Sequence, residues 1–308
     1  MKKRDLRPYH GVIFILCFTG ILFGVEPMIG NRMGIYGTAV GELLFLLLSV
    51  LFVVATKADF KRVFPLQKPR VSAIFGSLLL WGGTFGIMTV ILTVMMYLFP
   101  QQAAGASQGL ENMTMELPFL LGVLIIAVAP AICEEAVFRG VFMRSLSPIG
   151  NKWIVLVITG ALFGAFHGNL MKFIPTTMLG ILFGYIVWET NNMFYSVLLH
   201  FLNNFMSVVA LYALQSTMKM TERNPDISVA MDSVQLPLLS VGVYLFMAMA
   251  VPFCLYIGYF LLHKGIQGAP VTLFPQEKKT VFWILIGITL CIFLLAVAVC
   301  LLSVLVDG

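Results

Sequence analysis

Residues 120–143 read LLGVLIIAVAPAICEEAVFRGVFM. The run is apolar and long enough to cross a bilayer as a helix. Yet it contains Glu134, Glu135 and Arg139. Charge in hydrocarbon is costly, and ionisable groups held there mark function by default. The rest of the chain has the same apolar character. Of its 308 residues 60% are hydrophobic and 11% charged, against about a quarter charged in an ordinary soluble domain. A water-soluble shape cannot hide that much apolar surface. The composition predicts an all-α, polytopic transmembrane helix bundle, with residues 1–308 forming a single membrane domain.

A hydropathy window of about 19 residues predicts eight to nine spans, at 11–30, 36–56, 72–99, 117–145, 153–170, 173–189, 193–214, 237–262 and 280–305. The start, MKKRDLRPYH before GVIFILCFTGILFGV, has the charge order of a signal peptide but no small-residue cleavage site. It reads as an uncleaved first span. With the N-terminus inside, the inner connections collect Lys2, Lys3, Arg4, Arg7, Lys57, Lys61, Arg62, Lys68, Arg70, Arg144, Lys152, Lys264, Lys278 and Lys279. The outer ones hold only Arg32, Lys172, Lys219 and Arg223. This bias predicts a cytoplasmic N-terminus and an outer C-terminus. The same residues account for the net charge of +5 by meeting anionic lipid headgroups, so no nucleic-acid partner is expected. A polar connection over 215–236, with Glu222, Arg223, Asp226 and Asp232, falls outside. The chain shows no internal repeat, nucleotide-binding glycine loop or low-complexity tract. Its cysteines, Cys17, Cys133, Cys254, Cys291 and Cys300, lie in apolar runs without a CxxC pair. They read as small apolar residues.

Within the spans the ionisable residues are Glu26, Glu42, Glu134, Glu135, Arg139, His167 and His200. Glu26 precedes Pro27 near an outer end and Glu42 lies two turns from one, so both read as interfacial or structural. The others form three motifs. In the first, Glu135 and Arg139 are four apart, share a helix face and can pair, which lowers the cost of burying both. Glu134 points about 100° away and is left free for chemistry. The second motif joins Phe163 to His167, and the third His200 to Asn204, each pair four apart, with Asn203 to one side. Alone, a membrane histidine commonly bonds a backbone group, and a membrane asparagine commonly bonds another helix. Depth joins the three motifs. At about 1.5 Å per residue from the inner edge, Glu134 lies roughly 15 Å in, His167 roughly 21 Å, and His200 and Asn204 roughly 10 and 16 Å. All four are expected to meet near mid-membrane, somewhat to the inner side, in a cavity that admits water.

Such a set has the parts for amide hydrolysis. A buried carboxylate with a histidine can deprotonate a water molecule. An imidazole and a carboxamide can donate to the oxyanion of the tetrahedral intermediate. The same carboxylate and two histidines can alternatively bind zinc and leave a position open for water, although HExxH is absent.

EExxxR, FxxxH and HxxxN, in that order on three spans, resemble the CPBP family of intramembrane proteases. That family includes the type II CAAX prenyl endopeptidases. Ala129-Pro130, Phe138-Arg139-Gly140 and Gly180-Ile181-Leu182-Phe183-Gly184-Tyr185 resemble its bacterial abortive-infection and bacteriocin-immunity branch. The likeness covers 117–210, the expected catalytic core. It implies that Glu134 and His167 activate water, that His200 and Asn204 form the oxyanion hole, and that Glu135 and Arg139 support them. It implies an endopeptidase that requires no metal cofactor, with zinc as the alternative. It also implies a bacterial plasma-membrane location and a prenylated CAAX-like or other membrane-associated peptide substrate. The Gly180 and Gly184 spacing predicts close helix packing. Two other classes fit the buried Glu/His cluster. One is a proton-coupled transporter, which the absence of a repeat disfavours. The other is a non-catalytic immunity or scaffold protein.

Overall fold

The computed structural model describes residues 4–102, 117–222, 238–264, 266, 272–275 and 279–306. Most of the 215–236 connection, including Arg223, Asp226 and Asp232, lies outside them, as do Lys2, Lys3 and Lys278. The helices follow the apolar runs. They are α1 (Pro8–Met33), α2 (Ile35–Thr56), α3 (Val71–Leu98), α4 (Phe119–Ile149), α5 (Lys152–Ala165), α6 (Leu170–Thr190), α7 (Phe194–Glu222), α8 (Leu238–His263) and α9 (Lys279–Val306). Eight are long and apolar enough to span a membrane. The bundle is all-α: among the described residues the only β pairing is an isolated bridge between Arg4 and Ala58.

The helix α5 is the exception to the predicted span at 153–170. Its 14 residues reach about 21 Å, short of a hydrocarbon core about 30 Å thick. Local chemistry ends it early. Gly168 takes φ +63°, and Asn169 caps the next helix, its Oδ1 accepting from Met171 N–H at 2.8 Å. The chain therefore turns back just after His167.

The hairpin of α5 and α6 closes on glycine. A Cβ at Gly180 would lie 2.8 Å from Gly160 Cα, and one at Gly184 would lie 2.9 Å from Leu156 Cδ2. This is the close packing predicted around Gly180 and Gly184. Backbone on the facing side cannot yield as a flexible side chain can. Gly160→Leu is therefore expected to part the hairpin and cost about 1–3 kcal/mol, read as a lowered unfolding midpoint in detergent.

The centre of the bundle is α4. Of its most apolar window 56% is buried, against 11% for α1 and for α9. It winds as a π-helix at Val123–Val128 and again at Ala136–Phe142. At one end of the bundle the basic residues gather. Arg62 pairs with Asp5 at 2.7 Å and Lys152 with Glu189 at 2.6 Å. Arg144 donates to Asn191 Oδ1 at 2.8 Å, and Arg70 donates to the carbonyls of Leu262 and Lys264. The N-terminus, the α2–α3 and α4–α5 connections and the ends of α6 and α8 thus share one side.

Candidate active site

Pro130 begins the arrangement. It has no N–H, so the carbonyl four residues earlier loses its α-helical donor. Asn204 of α7 supplies one, its Nδ2 donating to Ile126 O at 3.1 Å. A carbonyl only accepts, so this bond also orients the carboxamide. The π turns on either side of Ala129–Glu135 are rare in helices and collect at functional sites.

The two glutamates diverge as their helix positions require. Glu135 is fully buried, and its Oε1 accepts from Arg139 Nη1 at 2.7 Å. The predicted pairing is present. The same oxygen also meets His200 Nδ1 at 3.0 Å, a contact that helix spacing alone does not reveal. Arg139 is held further by a bond from Nη2 to Gly180 O at 3.0 Å. Its guanidinium lies 4.5 Å from the Phe163 ring centroid, within cation–π range. Glu134 turns the other way, with its Oε2 3.8 Å from His200 Nε2. His200 therefore stands between the two carboxyls, Nδ1 toward Glu135 and Nε2 toward Glu134.

His167 sits beyond the end of α5, and its Nδ1 donates to Phe163 O at 2.8 Å. Because a carbonyl cannot donate, the neutral ring keeps its lone pair on Nε2. Glu134, His167, His200, Asn203 and Asn204 line one cavity of about 580 Å³. The structure thus brings together the four residues read as catalytic, while Glu135 and Arg139 lie behind His200. A smaller recess of about 80 Å³ beside Glu134 and His167 is walled by Phe18, Phe45, Phe138, Phe163 and Phe166.

One expectation is corrected. Glu42 is not interfacial: it is 5% exposed and lines the main cavity. Glu26 lines it too, with its side chain laid across α2, so that a Cβ at Gly41 would come 3.1 Å from Glu26 Cγ. The available signal was Gly37 and Gly41 beside Glu42, one turn apart on a face made for close approach. The cavity runs past Lys172, Thr38 and Ile35, away from the end where Arg4, Arg62 and Arg144 gather. Toward that basic end the Arg139 guanidinium and the rings of Phe138, Phe163 and Phe183 fill the space.

Among the described residues no three His, Cys, Asp or Glu side chains stand in a metal-holding arrangement. All five cysteines are free. A cavity lined by carboxyl, imidazole and carboxamide groups, within helices long and apolar enough to cross a bilayer, defines a multi-pass membrane protein. Residues 116–206 match the family described as Type II CAAX prenyl endopeptidase Rce1-like. All three motifs fall within the match, which supports an intramembrane protease of the CAAX type. No curated protein and no solved structure matches the chain.

Proposed function

We propose that the protein is an intramembrane endopeptidase whose nucleophile is a water molecule activated by Glu134 and His167. The observation that carries this reading is the convergence of Glu134, His167, His200 and Asn204, from three separated motifs, on one cavity. Glu134 Oε2 is buried without a hydrogen-bond partner, which leaves it available to take a proton from water. His167 offers Nε2 beside it. The hydroxide adds to the scissile carbonyl, and the oxyanion meets His200 Nε2–H and the second Nδ2 hydrogen of Asn204. Glu135 Oε1, 3.0 Å from Nδ1, holds the His200 ring so that Nε2 faces the cavity.

The substrate proposed is a membrane-associated peptide, prenylated CAAX-like or otherwise, with an apolar side chain seated in the aromatic recess. The gathering of basic residues at one end supports a cytoplasmic N-terminus. Under that orientation the cavity faces away from the cytoplasm.

The test pairs activity with metal. Purified protein is offered lipidated and unlipidated peptides, with and without chelator, beside Glu134→Ala. Cleavage that needs Glu134 and survives chelation is the expected result. Cleavage lost to chelator and restored by zinc would make Glu134, His167 and His200 ligands instead. Failure to cleave any peptide would favour proton flux, measured in liposomes.

A further inference from the structure

Two acids of the main cavity come from α1 and α2, outside the matched segment 116–206. Glu42 is 5% exposed, and its Oε2 is buried without a hydrogen-bond partner. Glu26 lies over Gly41: a Cβ there would come 3.2 Å from Glu26 Cδ and 3.4 Å from its Oε1. The Glu26 carboxyl is thereby laid on α2 one residue from Glu42. Glu26 also lines a second cavity of about 700 Å³, which reaches the turn at Gly34 and shares Leu22, Ile35 and Thr38 with the first. A peptide entering from that turn meets Glu26 before the catalytic residues.

With Glu134, three carboxyls line the main cavity. Among the described residues the one Lys or Arg in the lining is Lys172, and it is solvent-exposed. Arg139 lies behind, taken by Glu135 and Gly180 O. His167 and His200 have Nδ1 engaged by Phe163 O and Glu135. Charge of one sign in a cleft with low-dielectric walls draws the opposite charge. A buried carboxyl oxygen left unpaired is costly, and a donor brought by a ligand relieves that cost. A metal ion fits less well, since no three His, Cys, Asp or Glu side chains among the described residues stand in a metal-holding arrangement. A lysine or arginine side chain fits better. Its apolar stem can lie along the helices while its several N–H donors reach the carboxyls.

We propose that Glu26 and Glu42 form an acidic subsite that receives a lysine or arginine side chain of the substrate, which makes them specificity-determining residues. The proposal rests on the hydrolytic reading above and narrows its substrate to peptides with a basic residue close to the scissile bond. Glu134 stays free for water, and the aromatic recess takes an apolar neighbour.

The test uses the full chain in neutral detergent and apolar peptides, acetylated and amidated, with a single lysine walked along them. Each is matched by peptides with norleucine or glutamate at that position. Binding is measured by fluorescence anisotropy on Glu134→Gln, which holds peptide without cutting it. Lysine is expected to bind about tenfold to a hundredfold tighter than norleucine at one or two positions, with glutamate weakest. Adding Glu42→Gln or Glu26→Gln should remove most of that preference and keep the norleucine affinity. Asp5→Asn, in an exposed ion pair at the basic end, should leave it unchanged, which separates the subsite from net charge. Equal affinity for the three peptides at every position overturns the subsite. So does a lysine preference that survives Glu26→Gln and Glu42→Gln together. Cleavage is then measured with Glu134 intact, where Glu42→Gln is expected to raise KM for the lysine peptide alone. Glu134-dependent cleavage that ignores the lysine overturns the subsite and leaves the hydrolytic reading intact. Lysine-selective binding without cleavage of any peptide overturns that reading and keeps the subsite as a cation-binding site. Unfolding midpoints check that each isosteric variant is folded.

Discussion

Glu134→Ala is expected to abolish peptide cleavage, lowering turnover by about 10²–10⁴-fold, while the protein stays folded and membrane-inserted. Both halves follow from the surroundings of the side chain. Its Oε2 has no hydrogen-bond partner and faces His200 Nε2 at 3.8 Å, so no hydrogen bond is lost at that atom. Glu26 and Glu42 line the same cavity, and removing one of several acids gathered there relieves repulsion. The unfolding midpoint in detergent is therefore expected to hold or rise as activity disappears. Unchanged turnover in the purified variant would remove Glu134 from the role of base.

Arg139→Ala is expected to do the opposite to stability. Arg139 is 1% exposed, and Glu135 beside it is fully buried. Truncating the arginine leaves a buried carboxylate with only the His200 ring against the oxygen that the arginine held. Loss of one member of such a pair costs about 3–5 kcal/mol. Activity should fall as well, because Glu135 also orients His200. Arg139→Lys is expected to rescue only partly. A single ammonium cannot reach Glu135 and Gly180 O together while lying over the Phe163 ring as the planar guanidinium does. Replacing both partners by apolar residues, as in Glu135→Leu with Arg139→Met, is expected to recover stability without activity. A single variant that melts like wild type would show that the pair does not hold the bundle together.

These two outcomes separate the adjacent glutamates, and the separation is readable from the chain itself. Four-residue spacing on a helix puts Glu135 against Arg139 and turns Glu134 away. The π turns of α4 do not disturb that relation. The spans were readable for a similar reason. A helix in lipid must be apolar over its whole length, so α1 to α4 and α6 to α9 announce themselves as runs. The short α5 did not, because hydropathy continues through Phe166 and His167 after the helix has ended. Gly168 and Asn169 stop it by conformation and capping.

Local periodicity and the lipid environment therefore determined from sequence the helical class, the motif residues and the buried ion pair. The tertiary structure alone decided that Glu42 and Glu26 join the cavity, that His200 stands between the two motif glutamates, and that the cavity points away from the basic end. Those facts depend on which faces of α1, α2, α4 and α7 meet. That is set by close packing between segments far apart in the chain, with Gly41 making room for Glu26 and Asn204 bonding the carbonyl freed by Pro130. No residue's position within its own helix encodes such contacts, because they are properties of two surfaces that fit.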